Sequence, residues 1–281
     1  EYNRYPDEHA HFYETSNSTK AFEEDVKLAE LGYASVVDEG QALSYDNGSQ
    51  EVFTARYTHV KVGMGFQITE EAMDDNLYVS LSSRHTRAMA RSMAQTKQVR
   101  AMDLINRGFT TYTGPDGVTL FNIAHPTVSG LVNSNRPATP ADLNEASLEA
   151  AIIQMADWVD ERGLKINVRA RKLIVPQTLQ FVAKRILESD LRVSTSDNDL
   201  NALKEMRAIP EGFAVNHYLT DVNVWFLCTD VPNGMRHFVR KKATTKMEGD
   251  FDTGNVKYKA MERYSFGTSD PLAVFGSPGA T

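Results

Sequence analysis

The stretch from residue 39 to residue 69, EGQALSYDNGSQEVFTARYTHVKVGMGFQIT, predicts two strands that fold back at a polar tip. Asn47-Gly48 at the tip is a strong hairpin signal. Apolar side chains alternate from Val60 to Ile68, so the base of this ribbon packs on a core, whereas neither face is consistently apolar near the tip. An isolated two-stranded ribbon is only marginally stable in water. The tip therefore needs support from another surface.

The segments on either side of the ribbon extend this pattern. Thr69 is a candidate helix N-cap, and the sequence continues without Gly or Pro to Arg107, with Gly108 as the stop. A single helix of this span is about 58 Å long. Residues 1–37 are polar and predict an arm with at most a short helix from Ser18 to Leu31, which needs something to lie on. The arm, the ribbon and the long helix are all poorly supported in a monomer.

The rest of the chain predicts an α+β fold. A helix is expected from Asn144 to Arg162, and a third helix opens at Pro176. The strand-like runs KINVRARKLIVP, FAVNHYLTDVNVWFLCT and the region from Arg236 onward flank and follow these helices. Strands around a helical middle are typical of the α+β class.

Composition excludes several classes of protein. No run approaches the roughly 18 apolar residues of a membrane span. The only cysteine, Cys228, lies in an apolar strand-like run, which indicates a buried, unreactive thiol and excludes a disulfide framework. The net charge of −7 is uneven, because residues 1–51 contain twelve acids and three bases. An acidic leader and a basic remainder attract each other within or between subunits, or are separately solvated.

Two basic clusters are candidate contact sites. Arg84, Arg87 and Arg91 share one face of the long helix. They contact a neighbouring subunit, bind nucleic-acid phosphates without sequence specificity, or form a solvated face. Arg236, Arg240, Lys241 and Lys242 lie in a strand-like run without an acid, and are expected to contact a neighbour or the acidic arm.

No catalytic constellation emerges from the remaining motifs. His9 and His11 beside Glu8 and Glu14 form a possible metal site without a fixed third ligand, and His125 is expected to make a structural hydrogen bond. Asp157, Asp160 and Glu161 are expected to be the solvated end of a helix. Gly63 and Gly65 lack the third glycine of a dinucleotide fingerprint. The sequence predicts neither a cofactor nor a metal.

The order of these parts resembles the major capsid proteins of tailed bacteriophages, most closely the Mu-type major head subunit family. The resemblance covers nearly the whole chain, and it rests on GFQITEEAMDDNLY, LFNIAHP, LNEASLEAAIIQMADWVDERG, KLIVPQTLQFVAKRILES, LTDVNVWFLCTD and RYSFGTSDPLAVFGSPGA.

That family implies a division of the chain into functional parts. They are an N-terminal arm at 1–37, an extended β-hairpin loop at 38–68, a peripheral domain at 69–121 and 233–281 with a spine helix at 69–108, and an axial domain at 122–232. The loop tip that lies on the next subunit is then Tyr45, Asp46, Asn47, Gly48, Ser49 and Gln50. The tip has no lysine, so non-covalent contact is expected. The loop at the symmetry axes, within 190–204, is expected to include Ser194, Asp197, Asn198 and Asp199.

The function implied is structural. Copies are expected to form hexamers and pentamers of an icosahedral shell around double-stranded DNA, with portal and decoration or scaffolding proteins as further partners. Its place is then the virion, after assembly in the host bacterial cytoplasm, and whether a segment is cleaved before Glu1 stays open. Two alternatives remain. One is an encapsulin-like compartment with protein cargo, and the other is a metal-dependent hydrolase using His9, His11 and His125.

Overall fold

The computed structural model describes residues 2, 5–46, 50–75, 79–191 and 200–280. The helices are α1 Glu70–Asp74, α2 Val79–Asn106, α3 Glu145–Ala156, α4 Gln180–Glu188 and α5 Ala202–Glu205. The strands are β1 Glu14–Asn17, β2 Phe22–Ala29, β3 Gln50–Thr58, β4 Val60–Ile68, β5 His125–Pro126, β6 Val132–Asn133, β7 Ala170–Val175, β8 Phe213–Val215, β9 Trp225–Thr229, β10 Met235–Gly249, β11 Val256–Thr268 and β12 Val274–Ser277. Helices and sheets are mixed along the chain, as the α+β prediction states.

The chain divides into two compact units. Unit 1 comprises residues 1–23, 57–103 and 236–267. Its four-stranded sheet has the order β1-β10-β11-β4, and β4 runs antiparallel to β11. Met89 and Met93 of α2 pack on Ala260, with Val62 and Phe66 beside them. Of the apolar side chains of β4 predicted to meet a core, Val62 and Phe66 pack with this helix, whereas Val60 and Met64 are exposed.

Unit 2 comprises residues 24–56, 104–235 and 268–281. Its four-stranded sheet has the order β12-β9-β7-β8 and packs in a core cluster that includes Leu148 and Met155 of α3 and Leu173 of β7. Asn144 begins α3 with a reciprocal capping box, since its side chain accepts from Ser147 N at 2.8 Å and its own N–H bonds to Ser147 Oγ. The predicted start of this helix is correct.

The structure corrects the strand pairing of the ribbon. Strand β3 pairs with β2 and not with residues 39–46, which have no regular structure. The helix predicted over Ser18–Leu31 is also wrong, because β2 occupies most of it. The long second arm ends at Thr58, and β4 belongs to a different sheet. Pairing between distant strands overrides local propensity here.

Two helix predictions change in extent. The span predicted as one helix from Thr69 contains α1 and α2, with residues 76–78 outside the described part of the chain. The helix predicted to end at Arg162 ends at Ala156. Beyond its end Asp160 forms a turn, because its Oδ1 accepts from Arg162 N at 2.9 Å and from Leu164 N at 2.7 Å.

Candidate functional site

The ribbon β2–β3 and the segment between its strands expose much apolar surface. In that segment Val36 is 98% exposed, Tyr45 91% and Tyr33 78%, and Leu31 and Leu43 are also exposed. A folded subunit gains little by presenting large apolar side chains to water in a run, so such a surface marks an interaction site. We call residues 30–46 the acidic loop, because they include Glu30, Asp38, Glu39 and Asp46 and no lysine or arginine.

The root of the ribbon is held within unit 2 by a charged cluster. Lys27 Nζ of β2 lies 2.7 Å from Asp270 Oδ2 and 3.3 Å from Glu161 Oε1. It also lies 5.6 Å from the centre of the Phe53 ring on β3. Burial alone lowers the pKa of Lys27, but Asp270 and Glu161 raise it overall, so the lysine stays charged. Glu161 is buried and does not belong to a solvated helix end as predicted.

The described part of the predicted loop tip has one anchor. Asp46 accepts a hydrogen bond from Gly32 N at 2.9 Å and pairs with Arg162 Nη2 at 2.6 Å. Tyr45 and Gln50 are exposed. Asn47, Gly48 and Ser49 lie outside the described residues, so the contact role of the tip stays a prediction.

The arm is supported inside unit 1, contrary to the expectation that it needs a surface elsewhere. His9 N donates to Gln98 Oε1 of α2 at 2.9 Å, and Tyr13 Oη donates to Ala101 O at 2.8 Å. The ring of His9 meets His237 edge-on at 5.0 Å between centroids. Burial lowers the pKa of both histidines, that of His237 to about 3. Both imidazoles are therefore neutral at pH 7.

The arginines of the predicted spine helix lie on the exposed side of α2. Arg84, Arg87 and Arg91 are all exposed, while Met89 and Met93 on the other side are buried. This placement fits a contact with a neighbour, with phosphates or with solvent. Their role remains a prediction.

The predicted basic strand coincides with the first half of β10, and its members face two ways. Lys241 lines a groove with His237 and Val239 on the α2 side of the sheet. Lys242 lines the same groove, whereas Arg236 and Arg240 alternate with His237 and Val239 and therefore point to the opposite face. Arg236 is the register partner of Glu14 in β1, and its Nη2 lies 3.5 Å from Ser16 Oγ. The acidic arm thus runs beside the basic strand in the same unit.

The three histidines proposed for a hydrolase belong to different units of the structure. His9 and His11 belong to unit 1, where both lie in the short 3-10 helix Glu8–His11, and His125 belongs to unit 2. His125 Nδ1 lies 2.5 Å from Asp116 Oδ2, and its Nε2 lies 3.0 Å from Asn135 Oδ1. Asn135 in turn donates to Leu120 O and Pro271 O. The hydrogen bond expected of His125 is structural, since it orients a buried asparagine that joins three chain segments.

Other candidate chemistry also has structural explanations. Burial raises the pKa of Cys228 to about 12, so its thiolate is not formed at neutral pH. Asp157 pairs with Lys165 at 2.5 Å at the surface. Across the described ranges, no group of His, Cys, Asp and Glu is arranged to hold a metal ion. The same residues include no helix both long and apolar enough to span a membrane.

The predicted axial loop residues Ser194, Asp197, Asn198 and Asp199 lie outside the described residues. Sequence reasoning also missed a buried charge pair in unit 1. Lys97 Nζ of α2 lies 3.0 Å from Glu262 Oε2 of β11, and Tyr2 Oη donates to the same oxygen at 2.8 Å. No local signal predicts this pair, because its members are distant in sequence and each sits in an ordinary amphipathic pattern.

Comparison with known proteins gives a family and a fold. Residues 51–276 match the family described as phage capsid protein. Solved structures similar to this chain include a virus-like particle from Pyrococcus furiosus, with 12% identity and a TM-score of 0.57 over 98% of this chain and 93% of that one. The capsid of Myoviridae phage XM1 gives 11% identity and a TM-score of 0.57 over 95% and 89%. The capsid of a native GTA particle gives 13% identity and a TM-score of 0.58 over 97% of this chain and 89% of that one. No curated protein matches the chain significantly.

Proposed function

This chain belongs to the phage capsid protein family, and we propose that its copies bind one another through the acidic loop to build a shell around double-stranded DNA. It is a structural protein of the capsid shell, with the fold of phage major capsid proteins. The predictions of fold and of structural function are confirmed. The Mu-type subfamily is a finer assignment that we keep as a proposal, supported by the six sequence stretches quoted above.

The exposed acidic loop is the observation that carries the proposal. Its large apolar side chains gain from burial about 25 cal/mol per Å² of apolar area, and the described contacts of its own subunit leave them in water. In a closed symmetric shell the same weak contact recurs around each subunit, so a modest free energy per loop suffices. We propose pentamers and hexamers as the units of that shell.

The division into domains is proposed in a revised form. Unit 1 fits a peripheral domain and residues 122–232 of unit 2 fit an axial domain, because each has its own sheet and core. The extended loop then starts at β2, upstream of residue 38, since β2 is the strand that pairs with β3. The arm is correspondingly shorter and ends near Asn17.

Further partners and location follow from the same proposal. Portal, scaffolding or decoration proteins and non-specific contact with packaged DNA are expected for a phage shell. The finished protein then resides in the virion after assembly in the host bacterial cytoplasm. An encapsulin-like compartment is less favoured, because the family matched is that of phage capsids. Nucleic acid inside purified particles supports the phage shell, and a packaged enzyme supports the encapsulin-like compartment.

Replacement of the acidic loop tests the proposal. A variant with Gly and Ser at residues 31–45 keeps both ribbon strands, so we expect a folded subunit that forms no shells in electron micrographs. A matched control changes only Ser35, Gln41 and Ser44 to Gly, and it keeps the loop length and every apolar side chain. Shells are expected from the control. Shells from the first variant, in normal yield, rule out assembly through this loop.

A further inference from the structure

The groove between α2 and the sheet of unit 1 has a volume of about 550 Å³. This volume lies in the range of sites that bind small molecules. Part of its wall is apolar and consists of Met89 and Met93 of α2 and Ala260 of β11, which also form a core cluster of this unit. The rest of the wall is largely polar. We call this space the α2 groove.

Three polar atoms in the wall of the α2 groove are buried and unpaired. They are Glu262 Oε1, Tyr264 Oη and His237 Nε2, and within the described residues none of the three has a hydrogen-bond partner. Each of these residues is at most 3% exposed. Buried polar groups are nearly always hydrogen-bonded, because an unpaired one has lost its contact with water without compensation. Three such atoms in one wall therefore indicate a site for a ligand that pairs with them.

The three side chains are close neighbours around Lys97 of α2. Glu262 and Tyr264 are two positions apart on β11 and so share one face of the sheet. The rings of His237 and Tyr264 meet edge-on at 5.9 Å between centroids. Lys97 Nζ lies 3.0 Å from Glu262 Oε2 and 5.4 Å from the centre of the Tyr264 ring. Tyr2 Oη also donates to Oε2, so the second oxygen of Glu262 is left for a ligand.

These atoms require a head group that both donates and accepts hydrogen bonds. Glu262, in its ion pair with Lys97, only accepts. Burial and the charge of Glu262 raise the pKa of Tyr264, so its hydroxyl keeps its proton and can donate. His237 Nδ1 lies 3.1 Å from Thr15 Oγ1, and the tautomer decides whether Nε2 donates or accepts. A primary carboxamide serves either tautomer, because it has two N–H donors and a carbonyl oxygen.

Charged head groups match the site less well. A carboxylate has no donor for Glu262 and is repelled by it, whereas an ammonium group accepts nothing from Tyr264 and competes with Lys97. Exposed Lys241 and Lys242 also line the groove, so an anion is the main competitor of a neutral ligand. The two methionines suit a flat apolar body, because the flexible thioether adapts to the shape of a ring.

We propose that the α2 groove binds a small neutral molecule with a primary carboxamide on an aromatic body. The carbonyl oxygen accepts from Tyr264 Oη, one N–H donates to Glu262 Oε1, and the ring packs on Met89 and Met93. The site lies within unit 1 of a single subunit. It is therefore independent of the proposed shell and can be tested without assembly.

Three ligands with matched rings test the choice of head group on the unassembled full-length chain. Benzamide is expected to bind with a Kd of about 1 mM, as a ligand of this size allows, and benzoate and benzylamine at least about tenfold more weakly. Methyl NMR of methionine-labelled protein locates the site, because Met89 and Met93 are expected to shift and exposed Met247 is not. Absence of benzamide binding, tighter binding of a charged ligand, or shifts only at other methionines overturns the proposal.

Tyr264→Phe tests the hydrogen bond to the carboxamide. Its hydroxyl has no partner in the described residues, so we expect the unfolding free energy to stay the same or rise, while the Kd of benzamide rises about tenfold. Tyr258→Phe is the matched control on the same strand, where the ring stacks on Phe66 at 4.7 Å outside the α2 groove, and leaves that Kd unchanged. Equal Kd values for Tyr264→Phe and the unaltered protein overturn the proposal. If Tyr264→Phe does not fold, the three ligands on the unaltered protein decide the question.

Discussion

The arm and the acidic loop are both polar, acidic and close in sequence, yet they have opposite environments. Tyr13 of the arm is 3% exposed, whereas Tyr33 of the loop is 78% exposed. The arm ends in β1, which pairs in parallel with β10 and satisfies its backbone. The loop has the single described anchor at Asp46. The arm therefore contributes to the stability of one subunit, and we propose that the exposed loop contacts another.

The largest expected effect on stability comes from removing one buried aromatic ring from the arm. Tyr13→Ala removes the ring packed on Phe266 at 5.0 Å and the hydrogen bond to Ala101 O. We expect the free energy of unfolding of the unassembled subunit to fall by about 3–5 kcal/mol, as for other buried aromatic residues. Urea denaturation measures it.

The loop supplies a matched control for that loss. Tyr33→Ala makes the same chemical change at an exposed ring, and we expect a change in unfolding free energy of about 0.5 kcal/mol or less. Equal destabilisation by both variants means that the loop is packed within the subunit in solution, which contradicts the comparison.

The ribbon root provides the second test, because it joins the exposed loop to unit 2. Lys27→Met leaves Asp270 and Glu161 near each other without their shared cation. Glu161 is buried, whereas Lys27 and Asp270 are partly exposed, so we expect a loss of about 2 kcal/mol, between the values for surface and buried pairs. Lys165→Met, which breaks the exposed pair with Asp157, is the control and is expected to change little. If Lys27→Met and Lys165→Met change the unfolding free energy equally, the Lys27 cluster adds no more stability than an exposed pair.

The third test lowers the pH and concerns His237, whose ring packs against His9 of the arm. The pKa of His237 is about 3 in the folded subunit, below the ordinary value of 6.5. The unfolded chain therefore binds this proton first, so the stabilisation is complete above about pH 6.5 and decreases as the pH falls toward 3. We expect a loss of about 1 kcal/mol for each pH unit below about 6, measured by urea denaturation. His237→Gln is expected to lose less with acid, and parallel pH curves contradict this role.

Much of the fold could be predicted from local sequence, but the candidate surfaces could not. The strand pattern of Val60–Ile68 and the start of α3 at Asn144 are local predictions, and both are correct. The pairing of β2 with β3 depends on residues more than twenty positions apart, so the helix predicted over Ser18–Leu31 failed. The basic run of β10 was visible, but its place beside Glu14 of the arm depends on sheet pairing. Composition likewise identified an acidic leader without showing that Glu8, His9, Phe12 and Tyr13 of it are buried in unit 1.

The smallest expected change in stability is the sharpest test of the comparison. Val36→Ser with Tyr45→Ser removes apolar surface that is already in water, so we expect the unfolding free energy to change by about 0.5 kcal/mol or less. The protein concentration needed for assembly is expected to rise several-fold, because these side chains are buried only between subunits. Light scattering as a function of protein concentration measures it. Ser35→Gly with Ser44→Gly is the control, since those hydroxyls bond each other at 3.0 Å within the loop. If the double variant Val36→Ser with Tyr45→Ser lowers the unfolding free energy of the subunit but leaves assembly unchanged, the loop stabilises its own subunit and the comparison is wrong.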